Sequence, residues 1–244
     1  MKAMVLAAGL GTRLRPLTDT LPKALVELAG QTMLERTLRR LQSFGITEIV
    51  VNAHHHASVL IDYLREKKNF GLQIEISREE ILLDTGGGLQ HAAEFFLRAG
   101  SDQPFVVHNV DILSSIDLSA MLAQHNAQGA LATLAVKPRS SSRQLLFDAE
   151  GQLVGRRTPT ATEWARAIAT PTPLAFCGIH ILSPRIFPLL TESGVFSIIP
   201  AYLRLAAQGE RIAAFCADAY FWRDLGKVES LHQAEADRAA GLWE

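Results

Sequence analysis

Short apolar runs alternate with amphipathic stretches along most of this chain, and that alternation predicts strands separated by helices. The run from Ala3 to Ala8 is long enough for a buried strand and too short to span a membrane. Apolar positions at Met33, Leu34, Leu38, Leu41 and Phe44 recur at helical spacing. Thr32 stands before them as an N-cap, Glu35 completes a capping-box pattern, and Gly45 ends the helix. A strand is expected over 46–52, a helix over 57–67 and a strand over 72–77. The strand–loop–helix–strand order argues for parallel strands joined by right-handed crossovers. Further on, strands are expected over 104–110, 130–136, 174–182 and 211–216. Helices are expected over 118–128 (capped by Asp117), 184–190, 198–208 and 227–238. A hairpin turns at Glu150-Gly151, with Gln152 to Gly155 as its returning strand. Residues 156–173 show no convincing period and are expected to form an irregular insertion.

Two loops break this pattern with chemistry. After the first strand come Gly9 and Gly11, then Arg13, Arg15, Pro16, Pro22 and Lys23, and apolar patterning resumes only near Leu25. Loops of this length in compact domains are usually functional or disordered. Glycines let backbone N–H groups approach an anion, Arg13 offers a planar fork for phosphate oxygens, and Lys23 offers a point charge. The string is not the dinucleotide fingerprint G-x-G-x-x-G, because Leu14 stands where the third glycine belongs. It is not a Walker loop either: Gly226-Lys227 is the chain's Gly-Lys pair, and Val228 follows it. The second loop, 82–89, carries Gly86, Gly87 and Gly88 and is expected to precede a helix from about Leu89 to Leu97. Glycines there either expose N–H groups at a helix start or form a flexible turn.

Composition narrows the class. At 244 residues, with 48% hydrophobic and 20% charged side chains, the chain can bury a full core. A net charge of −1 offers no bulk attraction to nucleic acid or to an anionic membrane, so any phosphate binding falls to local cationic loops. No signal peptide and no run of transmembrane length are seen, and a cytoplasmic protein is expected. Cys177 and Cys216 lie in apolar runs and are expected to be buried free thiols. His54, His55 and His56 suggest a metal site. On an extended segment, though, consecutive side chains face alternate sides, and no second cluster has zinc-ligand spacing, so a His-rich loop is the better reading.

The whole N-terminal string is more specific than its parts. Leu6-Ala7-Ala8-Gly9, Gly11-Thr12-Arg13, Pro16-x-Thr18 and Pro22-Lys23 together closely resemble the signature of the sugar-1-phosphate nucleotidyltransferases. The resemblance spans nearly the whole chain and is weakest over 156–173. It implies a single α/β domain over 1–244: a Rossmann-like three-layer sandwich with a mostly parallel, mixed central sheet, of the glycosyltransferase-A-like nucleotidyltransferase kind. No C-terminal β-helix is expected, since only 20 residues follow Asp224 and no hexapeptide repeat is present.

Site residues follow from the resemblance, position by position. Ala8, Gly9, Gly11, Thr12 and Arg13 are implied to bind the nucleotide's phosphates, with Arg13 and Lys23 catalytic. The second glycine loop is implied to line the base pocket, through Asp84, Thr85, Gly86 and Gly87. Asp111 follows the strand of 104–110, where ligands bind in open α/β sheets. The family carries a metal-binding Asp there, normally after Gly; here Val110 precedes it. Phe221-Trp222-Arg223-Asp224-Leu225-Gly226 resembles the family's W-x-D-x-G, whose Asp is the second metal ligand. On the residues alone, each Asp also fits a turn or a helix cap. Gly178 is implied to border the sugar pocket, though a glycine within a strand also marks a bulge. Lys23 is implied to touch the sugar phosphate as well. Trp164 either stacks on a ligand or anchors its loop.

The implied reaction joins a nucleoside triphosphate to a sugar 1-phosphate with Mg²⁺, giving a nucleotide-diphosphate sugar and pyrophosphate. The compact length and the LDTGGG loop look most like the N-acetylmuramate 1-phosphate uridylyltransferases and the mannose-1-phosphate guanylyltransferase-like proteins, with UTP and N-acetylmuramate 1-phosphate as the first expectation. A phosphocholine-type cytidylyltransferase and a non-catalytic nucleotide-sensing homologue are the alternatives. A monomer or small homo-oligomer is expected, with no nucleic-acid or membrane partner.

Overall fold

The computed structural model describes residues 1–98 and 102–243. Strand β1 (Lys2–Leu6) leads into the long loop, which holds short 3₁₀ turns at Thr12–Leu14 and Lys23–Leu25. A small hairpin, β2 (Glu27–Leu28) and β3 (Gln31–Thr32), precedes helix α1 (Met33–Ser43). Thr32 caps that helix as its sequence predicts, accepting a 3.0 Å bond from the Glu35 amide. Then come β4 (Glu48–Ala53), α2 (Ala57–Glu66), β5 (Gln73–Arg78), α3 (Asp84–His91), α4 (Ala93–Leu97), β6 (Phe105–Asn109) and β7 (Ile112–Ser114). Helix α5 (Leu118–Ala127) is capped by Asp117, whose carboxylate accepts from the Ser119 and Ala120 amides. The second half runs β8 (Ala132–Lys137), β9 (Gln144–Phe147), β10 (Leu153–Arg157), β11 (Thr162–Trp164), β12 (Thr172–Leu182), α6 (Ile198–Ala207), β13 (Ile212–Cys216), β14 (Trp222–Asp224) and α7 (Val228–Ala239). A 3₁₀ stretch, Pro184–Leu189, fills the place of the short helix expected there.

Among the described residues ten strands form one mixed sheet, in the path β11-β10-β9-β12-β6-β1-β4-β5, with β8 beside β12 and β13 beside β8. Strands β6, β1, β4 and β5 are parallel neighbours, whereas β12 runs antiparallel to β6, β8 and β9. Apolar side chains cover both faces of this sheet. One layer gathers Leu34, Leu38 and Leu41 of α1 with Leu60 and Leu64 of α2; the other gathers Phe95, Phe96, Phe105, Phe187 and Tyr202. Central strands buried on both faces need the near-continuous apolar runs that the sequence supplies.

Four expectations are corrected. Helix α3 starts at Asp84, so Gly86–Gly88 lie inside it rather than before it, and the helical run breaks at Ala92. The amides of Gly86 and Gly87 both donate to the Phe196 carbonyl, at 2.9 and 3.1 Å, and are not exposed as an anion-facing helix start. The stretch 156–173 is irregular over most of its length, but strands enter it: β10 reaches Arg157, β11 pairs with it through Gly155↔Trp164 and Arg157↔Thr162, and β12 begins at Thr172. Its polar, Thr-rich sequence hides the strands because they lie at the sheet's outer edge, where no face demands apolar alternation. Finally, Cys177 is buried but Cys216 is exposed, at the end of β13.

Candidate active site

The parallel strands point their C-terminal ends at one crevice. The strand order reverses at β1, with β4 and β5 on one flank and β6 on the other, the switch point where open α/β sheets bind ligands. Leu6 pairs with Asn52 on one side and with Asn109 on the other, so the loop after β1 and Asp111 after β6 leave the sheet together. Asn52 anchors the loop's root. Its Oδ1 accepts from the Ala7 and Ala8 amides at 2.6 and 3.3 Å, and its Nδ2 donates to Glu79 at 2.7 Å. With the Ala7 and Ala8 amides committed to Asn52, none of the amides from Gly9 to Arg13 bonds to an acceptor among the described residues. Gly11 sits at φ 64°, and a Cβ there would meet Thr18 Cγ2 at 2.9 Å, so only glycine lets Thr18 close back on the Gly11 carbonyl.

A two-stranded ribbon brings the second aspartate in. β14 pairs antiparallel with β7, Asp224 opposite Ile112, and the Leu225 amide donates to the Asp111 carbonyl at 2.8 Å. Gly226 marks the point of convergence. A Cβ built there would lie 2.8 Å from Asp224 Oδ1, 3.0 Å from Arg13 Nη2 and 3.2 Å from Asp111 Oδ2. Lys23 donates to Asp111 Oδ2 in a part-buried ion pair. Arg13, Lys23, Asp111 and Asp224 thus come from four separate segments to one place.

Two carboxylates facing two cations form a hard-oxygen donor set suited to Mg²⁺, which takes one or two carboxylates and fills its shell with water and phosphate oxygens. Among the described residues no cluster of three or more His, Cys, Asp or Glu side chains could enclose a metal on its own. His54 instead bonds the Glu79 carbonyl through Nδ1 at 3.0 Å, and His55 and His56 pack ring to ring.

Two hollows that share Arg139 open at this crevice. One, about 450 Å³, is lined by Arg13, Asp224, Lys227, Trp222 and Arg139. The other, about 560 Å³, runs from Asp84 and Thr85 past Asn109 and His180 to Arg143 and Arg157. Arg139 lines both. Its guanidinium lies 4.2 Å from the centre of the Trp222 ring and donates to the Phe176 carbonyl, while its Nε is buried without a partner. In the larger hollow the Thr85 hydroxyl accepts the Ile198 amide, tying α6 to α3. Gly178, at φ 74°, interrupts the β12 ladder where its register shifts between Phe176 and His180, and a Cβ there would strike Asn109 Nδ2 at 2.9 Å. The bulge reading holds for Gly178, and its missing side chain is what admits Asn109. Trp164 does not line either hollow; it lies half-exposed on β11, against Gly155.

His180 gives no sign of itself in the sequence, since one histidine in an apolar run carries no local signal. It is 2% exposed, and its Nδ1 lies 2.6 Å from the hydroxyl of fully buried Tyr202. The Tyr202 proton has no other acceptor among the described residues, so Tyr202 donates and His180 keeps its proton on Nε2. Burial pulls the His180 pKa down to about 3, so the ring stays neutral.

Comparison with known proteins places this geometry. The nucleotidyl transferase family model matches residues 2–145. The chain is 34% identical to the N-acetylmuramate alpha-1-phosphate uridylyltransferase of Caulobacter vibrioides, over 96% of this chain and 95% of the relative. It is 31% identical to the mannose-1-phosphate guanyltransferase of Candida albicans, over 93% of this chain and 61% of that protein. Among solved structures, HddC from Yersinia pseudotuberculosis complexed with GMP-PN superposes with a TM-score of 0.76 at 20% identity, covering 97% of this chain and 99% of that one, a likeness of fold. No helix among the described residues is long and apolar enough to cross a membrane. With the family match over more than half its length and full-length relatives above 30% identity, the chain belongs to the nucleotidyl transferase family and is a sugar-1-phosphate nucleotidyltransferase.

Proposed function

We propose that this enzyme transfers the uridylyl group of UTP to N-acetylmuramate 1-phosphate with Mg²⁺, releasing pyrophosphate. The observation that carries the chemistry is the meeting of Asp111, Asp224 and Arg13 around Gly226, with Lys23 ion-paired to Asp111. The full-length similarity to the Caulobacter enzyme favours this nucleotide and this sugar.

Two polyanions must meet, so the protein's task is positioning and charge neutralisation. The amides from Gly9 to Thr12 and the Arg13 fork hold the β- and γ-phosphates, where charge grows as pyrophosphate leaves. Lys23 bridges the α-phosphate and the incoming sugar phosphate, whose oxygen attacks the α-phosphorus as the bond to pyrophosphate breaks. No protein nucleophile is required. Asp111 and Asp224 would hold Mg²⁺, which when bound neutralises phosphate oxygens. Asp84, Thr85 and the α3 glycines border the nucleoside end. Gly178, through the approach of Asn109, shapes the sugar side.

A pyrophosphate-release assay crossing four nucleoside triphosphates with a panel of sugar 1-phosphates and phosphocholine tests this reading. Release with UTP and N-acetylmuramate 1-phosphate is expected, with most of it lost in Asp111→Asn and Asp224→Asn at an unchanged melting temperature. Full Mg²⁺-supported turnover by either variant would remove that residue from the metal site. Phosphocholine is expected to fail. The larger hollow offers four arginines and a single phenylalanine, Phe176, a lining that repels a quaternary ammonium group instead of enclosing it in aromatic rings.

A further inference from the structure

The larger hollow is cationic well beyond what one phosphate requires. Arg139, Arg143, Arg156 and Arg157 line it, against one acidic residue, Asp84. These four arginines are not equivalent. Arg156 is bound to Glu163 through both Nε and Nη2, at 3.0 and 2.7 Å. Arg139 faces both hollows and is pinned between Trp222 and the Phe176 carbonyl, at the border with the aspartate pair. Arg143 and Arg157 differ from both. Their guanidinium groups make no hydrogen bond or ion pair among the described residues, in a chain with 25 carboxylate side chains to choose from. The fold sets them side by side: Arg157 is the register partner of Gln144, and Arg143 immediately precedes Gln144. They line only the hollow remote from Arg13 and Asp224.

Two unpaired, adjacent arginines at the far end of a substrate hollow disfavour a neutral occupant and favour an anion. A planar carboxylate suits paired guanidinium forks in geometry as well as charge. We propose that the acceptor carries a carboxylate in addition to its 1-phosphate, and that Arg143 and Arg157 are the specificity-determining residues that bind it, with Arg139 at the phosphate end. This rests on the sugar-phosphate reading above and deepens it. The enzyme discriminates acidic from neutral sugar 1-phosphates through these two side chains. The carboxylate is either on an ether substituent, as in N-acetylmuramate 1-phosphate, or at the end of the sugar ring, as in glucuronate 1-phosphate.

The test measures kcat/KM with UTP for N-acetylmuramate, glucuronate and N-acetylglucosamine 1-phosphates, in the wild type and in Arg143→Gln, Arg157→Gln and the double variant. Each single change is expected to lower kcat/KM for an acidic acceptor by about tenfold or more, the scale of one lost hydrogen bond to a charged group. The neutral acceptor should stay within about twofold, which also serves as the folding control, alongside coincident melting curves. Which acidic acceptor responds tells the two carboxylate positions apart. Equal loss on acidic and neutral acceptors, or no loss on either acidic one, overturns the assignment and leaves nucleotidyl transfer standing. Wild-type turnover of N-acetylglucosamine 1-phosphate in preference to both acids does the same. Absence of pyrophosphate release from all three removes the reading of UTP with N-acetylmuramate 1-phosphate, and the assignment with it.

Discussion

Gly226 shows how much of this site rests on an absent atom. Its own amide donates to Asp224 Oδ1 at 2.7 Å, which turns that carboxylate toward Asp111. A methyl group at this position would crowd Asp224 Oδ1, Arg13 Nη2 and Asp111 Oδ2 at once, all within 3.2 Å. The backbone of Gly226 is not left-handed, so alanine incurs no conformational strain, and the residue, though buried, follows β14 of the two-stranded ribbon rather than standing in the main sheet. The cost should therefore fall on catalysis rather than on folding. Displacing catalytic groups by about 1 Å costs on the order of 10²-fold in rate. Gly226→Ala is expected to lose about that much kcat/KM while its melting temperature stays within a degree or two. Steady-state kinetics beside calorimetry separates the two effects. Unchanged kcat/KM would mean that the carboxylates and Arg13 need no mutual register there.

At the scale of elements, the contrast is between helices the sequence announces and contacts it conceals. Helix α1 was legible because its signals are local: a Thr32 cap, a 3.6-residue apolar stripe and Gly45 just beyond its end. Strands β1, β4 and β6 were legible as short apolar runs. Helix α3 was not, because three successive glycines oppose helix by propensity, at roughly 1 kcal/mol each relative to alanine. Its geometry comes instead from a partner more than a hundred residues away, the 194–198 segment: the Gly86 and Gly87 amides bond Phe196, and a Cβ on Gly87 would lie 2.2 Å from the Gly194 carbonyl. The β7–β14 ribbon was equally hidden. Each strand has three residues, too few for any period, so the nearness of Asp111 to Asp224 followed from the family resemblance and not from pattern. Arg143 lies in the polar loop before β9 and Arg157 at the end of β10, and nothing local in either stretch signals that the two come near each other. The α3 contact decides a prediction. Gly87→Ala gains about 1 kcal/mol of helix propensity but forces a side chain into backbone, where overpacking costs typically 1–3 kcal/mol and more when the obstacle cannot move. The clash should win, lowering the melting temperature by several degrees for a chain of this size. Gly9→Ala, with nothing within 4 Å of its Cβ, serves as the neutral comparison. Equal melting temperatures for the two variants would show that the 194–198 segment yields freely.

Across the whole molecule, two buried histidines clamp helices to the sheet. His180 on β12 receives the Tyr202 hydroxyl of α6, and His125 on α5 lies 2.9 Å from the Thr133 hydroxyl of β8. Burial holds both rings neutral. The His180 pKa falls to about 3, lowered further by His108, and the His125 pKa to about 4, lowered further by Arg185. Unfolded, each would titrate near 6.5. Below that value the unfolded chain binds protons that the folded chain refuses, so stability must fall as pH falls, by about 1.4 kcal/mol per pH unit for each histidine until its folded pKa is reached. Between pH 6.5 and 5 most carboxylates remain ionised in both states, so this window isolates the histidine contribution. Urea denaturation in steps from pH 7.5 to 5 should show stability level above about pH 7 and declining below about 6.5. His125→Gln should be less stable at neutral pH yet flatten the decline, because it removes one of three proton-refusing sites; the third is His108 on β6, whose pKa burial lowers to about 4. A wild-type stability independent of pH across the window would mean that these buried rings, His108 included, accept protons in place, and that the clamps tolerate charge.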